Sequence, residues 1–84
     1  MRILSIRPIE HNSAGNLTCI ARFDIELQDE VRVKDCSLLW SERDQDHLIY
    51  GPRNGSHGRL VTFGQPLREE IREAALAAFG ALDA

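Results

Sequence analysis

Leu17, Cys19, Ala21, Phe23, Ile25 and Leu27 fall at every second position, with Thr18, Ile20, Arg22, Asp24 and Glu26 between them. Eleven residues of such alternation predict one long strand with a single buried face. The rest of the chain is read outward from it. Arg2 to Ile9 predicts a first strand, which Pro8 ends or confines to an edge because proline has no N–H for a ladder bond. His11 to Asn16 has turn composition, with Gly15 and Asn16 able to supply positive φ. Gln28-Asp29-Glu30 suits a tight antiparallel connection. Val31 to Trp40 predicts a third strand. Its apolar side changes near Asp35-Cys36, and a β-bulge there would restore the register.

Ser41 to His47 is a charged loop, and Leu48-Ile49-Tyr50 is a short strand stopped by Gly51-Pro52. Arg53 to Gly58 predicts an exposed loop, and Arg59 to Phe63 a fifth strand. Pro66 is placed at the first helical position, followed by Glu69 and Glu70 where the helix dipole favours acids. Leu67, Ile71, Ala74, Ala75, Ala78, Phe79 and Leu82 form an apolar stripe at helical spacing. Short connections imply antiparallel pairing. The expectation is therefore one α+β domain over residues 1–84: an antiparallel sheet of about five strands followed by one C-terminal helix packed on one face.

Ten Lys and Arg stand against 13 Asp and Glu, a formal net charge of −3. This argues against tight nonspecific attachment to a phosphate backbone, while leaving room for a local basic patch. Cys19 and Cys36 lack C-x-x-C spacing and lie within predicted strands, where cysteine serves as a small buried hydrophobe. Reduced thiols and no long apolar run near Met1 make the expected location cytoplasmic, with no membrane partner.

Chemistry-bearing patterns are sparse. His11, His47 and His57 have no ligand-like spacing, so neither a metal nor another cofactor is expected. The serines lack a nucleophile-elbow context, and no Gly-rich nucleotide motif occurs. The chain reads as a non-enzyme with no small-molecule substrate. Arg53 to Arg59, with His57 and its glycines, fits either a solvated loop or a phosphate-binding one. Trp40 and Tyr50 could stack on bases, but packing in the core or a dimer interface is the expected role. One helix covers one sheet face, and Ile20, Leu38 and Ile49 then call for a partner, of which an identical chain is the commonest.

Several stretches together are similar to a known family. Ile3 to Pro8, Ala21 to Leu27, Val31 to Leu39, Leu48-Ile49-Tyr50-Gly51-Pro52, and Phe63 to Leu67 with Pro66 leading into Glu70 to Leu76 resemble the stage V sporulation protein G (SpoVG) family. The resemblance implies an α+β fold, a homodimer, and binding of DNA or RNA in bacterial gene regulation. On that footing the expected nucleic-acid-binding residues are Arg53, Asn54, His57, Arg59, Arg68 and Arg72. The loop here is shorter than the family's, with separated arginines, and the helix carries Glu69, Glu70 and Glu73. Those acids support the alternative, a non-enzymatic protein-interaction or structural dimer with no nucleic-acid role.

Overall fold

The structure is a computed structural model that describes residues 1–53, 58 and 60–82; for residues 10–12 and 14 it describes the backbone alone. Four strands, β1 (Arg2–Ala14), β2 (Leu17–Gln28), β3 (Val31–Ser41) and β4 (Asp46–Tyr50), form one antiparallel sheet in the order β1-β2-β3-β4. Helix α1 (Leu67–Ala81) packs on it, so the α+β expectation holds. The helix approaches the two edge strands, β1 and β4, most closely. The sheet thus curves around it, as twisted sheets do.

Two-residue turns join β1 to β2 and β2 to β3. Gly15 at φ 63 and Glu30 at φ 67 take the left-handed conformation that such tight connections require. The expected turn from His11 onward is instead strand, and β1 reaches Ala14. Its register passes from Pro8↔Ala21 to Asn12↔Cys19, so extra β1 residues are absorbed as an irregularity rather than a turn. Pro8 stands on an edge strand, where its missing N–H leaves no gap in the sheet interior.

The bulge expected at Asp35-Cys36 is present. Phe23 pairs with Cys36 but Ile25 with Val33, so β3 carries one extra residue there, and Asp35 sits at φ 64. A second bulge corrects the simple alternation of β2. Cys19 faces Leu39 and Ala21 faces Leu38, leaving Ile20 extra. Ile20 therefore joins Ala21, Phe23 and Ile25 in the core, whereas Cys19 and Leu39 turn to the other face.

The core between sheet and helix holds Phe23, Ile25, Cys36, Leu38 and Ile49 from the strands, with Ile71 and Ala75 from the helix. Each large apolar side chain buried here contributes about 1.5–3 kcal/mol. The helical stripe is as expected at Leu67, Ile71, Ala75 and Phe79; Leu82 is instead an exposed cap. Pro66 is the N-cap rather than the first helical residue.

The fifth strand is not formed among the described residues, and 60–64 run irregularly. Leu60 donates its N–H to the Pro52 carbonyl at 2.8 Å, but Pro52 has no N–H to return. The pair therefore cannot close a ladder ring, and Arg53 beside it stands in an isolated bridge. It still lies close to the end of β4, since a Cβ on Gly51 would overlap the carbonyl oxygen of Val61.

Candidate nucleic-acid interface

Arg53 is exposed just beyond β4. Asn54, His57 and Arg59 lie outside the described residues. Arg68 and Arg72 occupy the first turns of α1, on the side that faces β4. The Arg68 guanidinium carbon stands 5.6 Å from the Tyr50 ring centroid, a cation–π arrangement. Beside it, Ile49, Gly51, Val61 and Phe63 line a small cavity of about 140 Å³. Arg72 is held by two carboxylates. Its Nε bonds Glu69 at 3.1 Å and its Nη1 bonds Asp46 Oδ1 at 3.1 Å. The hydrogen bond from Arg72 keeps the Glu69 carboxyl below its usual range. Helix and β4 are thereby cross-linked by charge, and this arginine has less to offer a phosphate than its sequence position suggests.

Trp40 packs edge-on against His47, ring centroids 5.0 Å apart. The two residues face each other across β3 and β4.

The main basic surface lies elsewhere, on the sheet face opposite α1. Arg7 and Arg22 are cross-strand partners on β1 and β2. Arg7 Nη2 donates to Asp35 Oδ1 and Arg22 Nη1 to Asp35 Oδ2, each at 3.1 Å. Toward the other end, Arg2 Nε meets Glu26 at 3.0 Å and Arg32 Nε meets the same carboxylate at 3.5 Å. Lys34 adds its charge beside Asp24. Five basic side chains thus share this region with Asp24, Glu26 and Asp35, a surplus of two positive charges on a chain whose total is −3.

Asp24 is the organising acid. Its Oδ1 accepts the Asp35 N–H at 2.8 Å and its Oδ2 accepts the Ser5 hydroxyl at 3.2 Å. The Asp35 N–H chiefly, with Ser5, Arg7 and Lys34 adding to it against the opposing effect of burial, holds the Asp24 carboxyl below its usual value. Asp24 therefore fixes the β3 bulge, and the bulge aims the Asp35 carboxylate at Arg7 and Arg22. On the helix side, burial above all, reinforced by the Asp24 and Asp35 charges, pushes the Cys36 thiol up to about 11. The thiol therefore stays protonated at neutral pH.

Sequence reasoning missed this surface because it treated Arg22, Asp24 and Glu26 only as the polar half of an alternation. The available signal was the charge at those positions. Two arginines directly opposite one another on neighbouring strands repel unless an acid lies between them, and β3 supplies one in Asp35.

Among the described residues no group of three His, Cys, Asp or Glu side chains is arranged to hold a metal ion, and no helix is long and apolar enough to cross a membrane. No protein-family model, curated protein or solved structure matches the chain.

Proposed function

We propose that this chain is a non-enzymatic, homodimeric protein that binds the phosphate backbone of DNA or RNA through the sheet face opposite α1. The observation that carries this reading is the concentration of Arg2, Arg7, Arg22, Arg32 and Lys34 on one open region with a positive surplus. A guanidinium has five N–H donors. The carboxylates of Glu26 and Asp35 occupy one or two on each arginine and fix its plane, and the remaining donors are available to phosphate oxygens. Arg53, with Asn54, His57 and Arg59 following it, forms the second contact region of the proposal, and Arg68 an adjoining one. The resemblance to the SpoVG family points the same way. Exposed Leu4, Val31, Leu60 and Leu82 supply apolar surface for a second copy.

Fluorescence polarisation with labelled single- and double-stranded oligonucleotides tests this. Four phosphate contacts predict that affinity falls about 50- to 150-fold between about 50 and about 200 mM salt. The R7A/R22A double variant, checked for an unchanged fold by circular dichroism, should lose about half of that salt dependence. Absence of binding to any DNA or RNA pool at low salt refutes the reading. Light scattering should report twice the chain mass.

The acidic outer side of α1, with Glu69, Glu70 and Glu73, favours the second reading, a protein-interaction or structural dimer. Under that reading the chain is dimeric but the oligonucleotides do not bind.

A further inference from the structure

A separate groove lies at the other end of the helix. Thr18, Ile20, Trp40, Glu42, His47 and Phe79 line an open groove of about 400 Å³, in the size range of small-ligand sites. Its walls come from three strands or their ends and from the last turns of α1. Ile20 is there because of the β2 bulge, which turns it toward the helix side. Trp40 is braced edge-on by His47, and Thr18 is fixed by a 2.9 Å hydroxyl contact with Ser13.

Three features of this groove favour the same kind of occupant. The indole of Trp40 is the ring type best suited to holding a cation over its face. The Glu42 carboxylate makes no hydrogen bond or ion pair among the described residues, although the Glu42 backbone is anchored through Asn16 and Gln45. The last turn of α1, which contributes Phe79, has no basic side chain to offset the negative end of the helix dipole. An aromatic face, an unpaired carboxylate and a helix C-terminus thus surround an apolar floor of Ile20 and Phe79. Neutral or anionic molecules gain nothing from the charged half of this set. The six-residue lining is also far too small for a stable protein interface.

We infer that this groove is a binding site for a small organic cation, an ammonium group carried on an aromatic or branched apolar body. The apolar body lies against Ile20 and Phe79, and the ammonium sits between the Trp40 ring and the Glu42 carboxylate. The site is independent of the basic sheet face, so it stands or falls separately from nucleic-acid binding.

The chain has one tryptophan, and its fluorescence reads this groove directly. Titration of the full chain with phenethylammonium chloride should give a saturable change in Trp40 emission in the millimolar range, at constant ionic strength. Phenylacetate, with the same ring and opposite charge, should give no saturable change. E42Q, at an exposed position and folded as judged by circular dichroism, should bind the amine about tenfold more weakly. Proton NMR should show the shifts confined to Trp40, His47, Phe79 and Ile20. Equal binding of phenylacetate, an E42Q affinity equal to that of the parent, or shifts centred elsewhere overturns the inference.

Discussion

Asp35→Asn isolates the balance between internal pairing and ligand binding on the open sheet face. The substitution keeps a residue that tolerates φ 64 and keeps the backbone N–H that Asp24 accepts. It removes one negative charge, raising the local surplus from two to three, and releases Arg7 and Arg22 from their 3.1 Å contacts. Those pairs are about half exposed, with side-chain exposures of 49 and 38 % for the arginines and 54 % for Asp35. Pairs of this kind contribute about 0–1 kcal/mol each, so the variant should lose about 1 kcal/mol, a Tm drop of about 4–8 °C. Binding should move the opposite way. Arg7 and Arg22 already meet phosphates in the parent while sharing their charge with Asp35; losing that one carboxylate raises the charge facing the phosphates by one and steepens the slope of log affinity against log salt by about 0.7–0.9. That amounts to about threefold more affinity lost across a fourfold rise in salt. Polarisation titrations of parent and D35N at matched low and moderate salt measure this directly. A folded D35N that binds no more tightly at low salt, with an unchanged slope, refutes the assignment of Arg7 and Arg22 to the interface.

Other substitutions probe the scaffold. Gly51→Ala forces a Cβ into the Val61 carbonyl and should cost about 1–3 kcal/mol by urea denaturation. Glu30→Gly relieves a left-handed residue in an exposed turn and should stabilise by about 0.5–1 kcal/mol in the same assay. Phe23→Ala opens the centre of the core and should cost about 3–5 kcal/mol. Asp24 has a depressed folded pKa, so its contribution is present above the ordinary Asp value of 3.8 and is lost as pH falls through the lower folded value. Acid titration followed by circular dichroism should show that loss in the parent and a flatter acid limb in D24N.

The sheet and helix were legible because period-2 and period-3.6 patterns survive along most of each element. The Asp35 bulge was legible too, since a change of apolar side within one strand has few other solutions. The Ile20 bulge was not. Cys19, Ile20 and Ala21 are all apolar, so the slip leaves no polar residue on the wrong side to betray it. The fifth strand failed because local composition cannot report that Leu60 lies opposite Pro52, which has no N–H to return its bond. The candidate site was half legible. Arg53 is exposed as expected, but Arg72 meets Asp46, a residue 26 positions away, and that pairing is invisible until β4 lies beside the helix. The arginines of the sheet face were hidden for a similar reason, because three separate strands bring them together.

The bond from Leu60 to Pro52, with Gly51 pressed against Val61, brings the chain back on itself between residues 52 and 60. The chain between those two points enters the stability of the sheet through the entropy of closing it. Doubling its length adds only about 0.6 kcal/mol of closure entropy. Replacing that stretch with a longer one should therefore leave the stability of the sheet nearly unchanged.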